Sequence, residues 1–284
     1  MRLHVSHRTL YRFNAPMRWI TQSHRLTPSV CASQRTLDWR ITVEGAETGG
    51  SFVDGAGDRI STMTLAGPVE RVEVRVEGSV ETTDTAGILR DHREIVSPRV
   101  YLVATEATEP SPALHALMSA ALEGAGDDGP LARSHRLAAA VAEAIAYAPG
   151  TTEAHTSAAE ALERGEGVCQ DHAHALIAVA HAAGMPARYV AGYLLTEGDG
   201  GLEEASHAWA ELYVPSLGWI GFDAANRCCP DERYIRLGSG RDAHEAAPIR
   251  GVSRGGGVEE MEVSVVVSEA PASSQSQSQS QTQQ

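Results

Sequence analysis

One cysteine, one histidine and one aspartate stand in an order and a context that suit nucleophilic catalysis. Cys169 lies in GVCQDHAHALIAVA, His207 in SHAWAELYV and Asp223 in GWIGFDAAN. The thiolate is the reactive form of a cysteine, and an ordinary thiol is mostly protonated at neutral pH. Apolar periodicity puts Cys169 in the first turn of a helix. Unpaired amides and the helix dipole favour negative charge there, and the same amides can donate to an oxyanion. An imidazole serves such a nucleophile as base, and a carboxylate orients the imidazole. The Cys169 amide is one candidate oxyanion donor, and Tyr147 and Gln170 are candidate side-chain donors.

The elements that must position these groups are a helix and a hairpin. SHAWAELYV and GWIGFDAA read as strands joined by a turn at Pro215 to Gly218. With the turn centred on Pro215, His207 falls opposite Asp223, Trp209 opposite Gly221 and Glu211 opposite Trp219. Opposed residues share a face with Cβ atoms about 4.5–5.5 Å apart, so Asp223 can hold one imidazole nitrogen while the other faces Cys169. A slip of one residue would put the two on opposite faces. A zinc site built from Cys169, Asp171, His172 and His174 lacks a clear fourth ligand, so no metal is expected.

The remainder of the chain reads as an α+β protein. LHVSHRTLYRF, TLDWRITVE, RISTMTLA and VERVEVRVEGSVET alternate apolar and polar residues, which predicts an N-terminal antiparallel β-sandwich over 1–85. Asp54 and Asp58 in DGAGD are expected to form a turn rather than a calcium loop. Residues 86–112 read as a connecting segment. The catalytic domain is expected over 113–268. Helices are predicted in ALHALMSAALEGA, HRLAAAVAEAIAY and TSAAEALERGEG, the last capped by Thr156 or Ser157 and ended by glycine. The cysteine helix should stop at Gly184 and Pro186, followed by a buried strand, RYVAGYLLT. MEVSVVVS reads as a last strand before a Ser/Gln-rich tail, 269–284, expected to be disordered.

Composition narrows the partners. The 284 residues carry a formal net charge of −14, which argues against nucleic acid or an anionic membrane. The opening MRLHVSHRTLYRF has no apolar core of a secretory signal and no run is long enough to span a bilayer, so the expected location is cytoplasmic. The four cysteines, Cys31, Cys169, Cys228 and Cys229, are then expected as free thiols. The chain contains no lysine, so its permanently cationic side chains are all arginine. A GC-rich genome accounts for that, and a chain without lysine would also be spared self-crosslinking if it joined acyl groups to amines.

These residues resemble the transglutaminase-like superfamily, in particular its bacterial branch with an N-terminal β domain. GVCQDHAHALIAVAHAAGMPARYVAGYL is similar to the family's cysteine motif, and SHAWAELYVPSLGWIGFDAAN to its histidine and aspartate motifs. HRTLYRF, RLTP at 25–28 and DGAGDRI resemble the associated β domain, and GRDAHEAAPIRGVSRGGG the end of the catalytic domain. The resemblance implies a papain-like core, a helix bearing the nucleophile packed on an antiparallel sheet. It implies Cys169 as nucleophile, His207 as general base and acid, Asp223 as orienting carboxylate, and no cofactor. Two positions depart from the family pattern. Ala224 and Ala225 stand where proline and threonine usually follow the aspartate. His172 fills a slot that often holds an aromatic residue, and is expected as an exposed helix-face histidine.

The activity implied is that of a cysteine-dependent acyl-enzyme acting on a peptide or glutamine carboxamide. Hydrolysis is preferred over amine crosslinking, which would be hazardous in a cytosol. The rival readings are a non-catalytic peptide-binding module and a protein-glutamine acyltransferase. A thiol acyltransferase using a carrier-bound donor is disfavoured, because no basic patch is evident for a phosphorylated carrier.

Overall fold

The computed structural model describes residues 1–196 and 206–269. The expected disorder of the tail lies outside the described residues, apart from Glu269, which ends the last strand. The strands are β1 Arg2–His24, β2 Gln34–Val43, β3 Glu47–Val53, β4 Arg59–Thr82, β5 Ala146–Tyr147, β6 Glu166–Gly167, β7 Ala187–Leu194, β8 Ser206–Val214, β9 Gly218–Phe222, β10 Tyr234–Gly240, β11 Ile249–Arg254 and β12 Glu259–Glu269. The α-helices are α1 Pro112–Ala121, α2 Pro130–Ala144, α3 Ala158–Arg164 and α4 Cys169–Ala182.

The N-terminal region is antiparallel β structure, as its alternation requires. It takes the form of one six-stranded sheet in the order β11-β1-β4-β2, with β12 also on β1 and β3 also on β4. The two long central strands change neighbours along their length. Leu3–Phe13 of β1 pairs with β12, and Trp19–His24 pairs with β11. RISTMTLA and VERVEVRVEGSVET are a single strand, with Gly67 and Pro68 at its middle. The register between β1 and β4 shifts around Met17, opposite that dipeptide. A proline has no N–H for a ladder bond and is tolerated at such an irregularity.

The second sheet has the order β10-β7-β8-β9 and is wholly antiparallel. Helix α4 packs against β7 and β8 on one side and against α1, α2 and α3 on the other. Its residues Asp171 to Ala180 are all buried. A helix buried on every face is a core helix, which explains the near-continuous apolar run after Cys169. Ser157 caps α3, accepting from the Glu160 amide, and Gly165 ends it in the left-handed region.

The two sheets share a core. Tyr193, Ile235 and Leu237 of the second sheet pack with Leu3, Val5, Ile20 and Leu65 of the first. The chain also returns: β11 and β12, at the end of the stretch read as catalytic domain, complete the N-terminal sheet. Strand alternation marked β12, but its partner is more than 240 residues away and leaves no local signal. The connecting segment lies along β9, with Leu89 donating to the Trp219 carbonyl and Gly221 donating to the Gly87 carbonyl. It thereby covers an edge that would otherwise be open.

Candidate active site

Cys169, His207 and Asp223 each sit at an end of an element. Cys169 is the first residue of α4, His207 the second of β8, and Asp223 follows β9 directly. The structure brings all three together. His207 Nε2 donates to Asp223 Oδ2 at 2.6 Å, and the Cys169 thiol lies near enough to the ring to help raise its pKa. His207 and Asp223 are buried and Cys169 is half-buried.

The hairpin register differs from the expected one. Val214 pairs with Gly218 and Glu211 with Gly221, so the turn is centred on Ser216 rather than Pro215. Ser216 adopts a left-handed φ of 80° inside a three-residue loop. Each partner therefore moves by two positions and not by one, which preserves the face. Asp223 reaches His207 as a diagonal neighbour, and the loop beyond β9 directs its carboxylate.

That loop supplies what the sequence reading missed. Asn226 donates its backbone N–H to Asp223 Oδ1 at 3.1 Å and its side-chain amide to Oδ2 at 2.8 Å. Tyr234, the first residue of β10, donates its hydroxyl to Oδ2 at 2.8 Å. Asp223 closes the loop with backbone bonds to and from Cys228. The YIRLGSG segment is buried throughout and carries no alternation to flag β10, and the approach of Tyr234 to Asp223 depends on the long path through residues 224–233.

Charge follows geometry. Burial opposes a positive charge on His207, but the hydrogen bond and charge of Asp223, with a further contribution from Cys169, outweigh it and raise the imidazole to about 9. Burial likewise opposes charge on Asp223, and the bonds from His207 and Asn226 override it, holding the carboxyl below its ordinary value.

The approach to Cys169 is braced by its own helix. Asp171 Oδ2 accepts from the Val168 amide at 2.8 Å and from the Thr152 hydroxyl at 2.6 Å. Gln170 donates its amide to the Ala154 carbonyl at 2.8 Å, so this candidate oxyanion donor is committed to the 148–157 loop. Tyr147 is half-exposed, with its ring 6.4 Å from that of His172. His172 is not on an exposed face. It is 2% exposed, and its ring lies between the carbonyls of Val168 and Ile145 at 2.9 and 3.0 Å. The polarity of the residue misled; an imidazole that ties two backbone segments is stable in a core. His174 Nε2 accepts from the Ala243 amide at 3.0 Å, and burial lowers its pKa. Among the described residues no group of three or more His, Cys, Asp or Glu side chains could hold a metal.

Asp54 and Asp58 do more than shape a turn. Asp54 Oδ1 accepts from the amides of Ala56 and Asp58, which makes the turn. Asp58 is fully buried and accepts from Arg236 at 2.9 Å. Arg236 also meets Glu211, and Glu211 meets Arg188, whose guanidinium carbon lies 4.1 Å from the centroid of the Trp219 ring. A line of buried ions thus runs from the N-terminal sheet to the strand that carries His207.

A helix that opens on a cysteine and packs on an antiparallel sheet, with a histidine and a carboxylate at the ends of adjacent strands, defines a papain-like α+β core. Residues 119–224 match the transglutaminase-like superfamily, and residues 3–81 match the bacterial transglutaminase-like N-terminal region. An uncharacterized Mycobacterium tuberculosis protein is 31% identical over 276 residues, covering 88% of this chain and 87% of the relative. An uncharacterized Mycobacterium leprae protein is 29% identical over 280 residues, covering 94% and 98%. A crystal structure from Cytophaga hutchinsonii, described as a candidate cysteine protease, superposes with a TM-score of 0.70 at 22% identity, covering 94% of this chain and 90% of that one. The chain belongs to the transglutaminase-like superfamily.

Proposed function

We propose that the protein is a cysteine-dependent acyl-enzyme acting on a peptide or glutamine carboxamide, with Cys169 as nucleophile, His207 as base and acid, and Asp223 as orienting carboxylate. The Cys169 thiolate adds to the carboxamide carbon. First-turn amides of α4 face the developing oxyanion. The His207 imidazolium protonates the departing amine, leaving a thioester, and then takes a proton from the incoming water. One observation carries this reading: a buried histidine, raised to about 9, is bonded to a carboxylate at 2.6 Å and acts on a thiol at a helix N-terminus.

Water is the preferred acceptor, as expected of an enzyme working where crosslinking would be harmful. A cytoplasmic location belongs to the same proposal and is supported by the four free thiols. No described helix is long and apolar enough to cross a membrane. The acidic balance makes a peptide or protein, rather than nucleic acid or an anionic bilayer, the expected partner. The absence of lysine from the chain favours amine transfer as the second reading.

The test is the pH dependence of iodoacetamide alkylation at Cys169, read by peptide mass spectrometry, with Cys31, Cys228 and Cys229 as internal controls. Activation predicts a rate that reaches its plateau well below the ordinary thiol pKa of about 8.5. An ordinary profile at Cys169 would move the reading to a peptide-binding module. Release of new amino termini or ammonia, without incorporation of a fluorescent primary amine, would separate hydrolysis from transfer.

A further inference from the structure

Asp223 Oδ2 receives three donors: His207 Nε2 at 2.6 Å, Asn226 Nδ2 at 2.8 Å and the Tyr234 hydroxyl at 2.8 Å. Tyr234 is buried on β10 and its ring lies edge-on to that of His207, with centroids 5.9 Å apart. A phenol has one proton to give. Because Tyr234 gives it to Asp223, the Cys228 thiol 3.3 Å from the phenol oxygen must be the donor in their contact. A directed chain results: Cys228 S–H to Tyr234 O–H to Asp223, which is met from the other side by His207 N–H. The titratable and charged groups around it are few. His207 faces Cys169 from α4, Asp223 from the end of β9 and Tyr234 from β10, while Cys228 also faces Asp231 and Arg233.

We propose that Tyr234 is a positioning residue: its hydroxyl, braced by the Cys228 thiol, aligns Asp223 Oδ2 with His207 Nε2 and moderates how tightly that carboxylate holds the imidazolium. The proposal rests on the functional reading of Cys169, His207 and Asp223 given above. Its physics is a competition for one oxygen. Each hydrogen bond accepted by a carboxylate disperses its charge and makes it a weaker base. Without the phenol proton, Asp223 holds His207 more strongly and less directionally.

The experiment is carboxymethylation of Cys169 by iodoacetate across pH, in the full-length protein and in Tyr234→Phe and Cys228→Ala. The thiolate displaces iodide, and the cationic imidazole attracts the anionic reagent, so the rate falls once His207 loses its proton. That alkaline limb belongs near 9 in the unaltered protein. Tyr234→Phe is expected to move it up by about half a pH unit, and Cys228→Ala by about 0.2 in the same direction, which are fractions of one charged hydrogen bond. Tyr234→Phe is also expected to slow the plateau rate about threefold, through the lost alignment. A thermal melt identifies any variant that does not fold, and Cys228→Ala decides the matter if Tyr234→Phe fails to. A role in packing alone would lower the melting temperature and leave the limb in place. An ordinary-thiol profile in the unaltered protein overturns the functional reading and the proposal together. An activated profile that keeps its limb in the folded variants overturns the proposal alone.

Discussion

In the proposed mechanism Asp223 sets the charge of His207, and His207 sets the reactivity of Cys169. Asp223→Asn keeps the size and removes the charge. Burial, which opposes the cation, then prevails, and the ring should fall below its ordinary value of about 6.5. At neutral pH it would be uncharged. We expect the rate of Cys169 alkylation at pH 7 to drop by about two orders of magnitude, a loss measurable by mass spectrometry, as befits removal of an orienting carboxylate. The pH dependence has a definite sign. In the unaltered protein the His207 cation persists up to about 9 and is lost as pH rises through that value. A thiol–imidazole pair whose alkaline limb stayed near 6.5 would refute the role given to Asp223. These three residues were legible because local context marked each one: a cysteine opening an apolar helix, a histidine in a strand and an aspartate ending one. Asn226 and Tyr234 were not, because their importance arises only when the 223–234 loop folds back on Asp223.

The elements themselves were largely readable, and the misses have physical causes. Apolar periodicity located all four α-helices of the described residues. It could not locate β10, whose residues are buried throughout and so lose the alternation that marks a half-exposed strand. The register error of the hairpin came from a turn conformation, Ser216 with positive φ, that side-chain pattern does not encode. One position tests whether the observed register matters. Gly192 pairs with His207 on one side and with Arg236 on the other. A Cβ there would run into the Ile235 carbonyl and the Trp209 ring, whose plane stacks on His207. Gly192→Ala should cost about 1–3 kcal/mol of stability, as overpacking does. The displaced Trp209 should also shift the His207 titration, visible in the alkylation profile. A variant as stable and as reactive as the parent would mean that β7 and β10 lie farther apart at this point than the structure has them.

At the scale of the whole molecule the N-terminal sheet and the papain-like core share a hydrophobic cluster, and buried ions join them. Glu211 sits between Arg188 and Arg236, and Arg236 reaches across to Asp58. Burial alone would raise the Glu211 carboxyl; the two arginines override it and depress the group to about 2. Its contribution to stability is therefore whole above the ordinary value of about 4.5 and is lost as pH falls through about 2. Glu211→Gln leaves two guanidinium groups buried without their shared counter-charge. Breaking a buried pair from one side costs about 3–5 kcal/mol, and we expect a loss of that size in urea unfolding at pH 7. Because β11 and β12 complete the N-terminal sheet from the far end of the chain, the loss should appear in a single transition, reported equally by far-ultraviolet circular dichroism and by tryptophan fluorescence. Deletion of residues 1–85 should then yield an insoluble chain, since it strips β11 and β12 of the strand they pair with among the described residues and exposes Tyr193, Ile235 and Leu237. Two separate transitions, or a soluble remainder whose Cys169 still reacts, would show instead that the sheet is an accessory to a core able to stand alone.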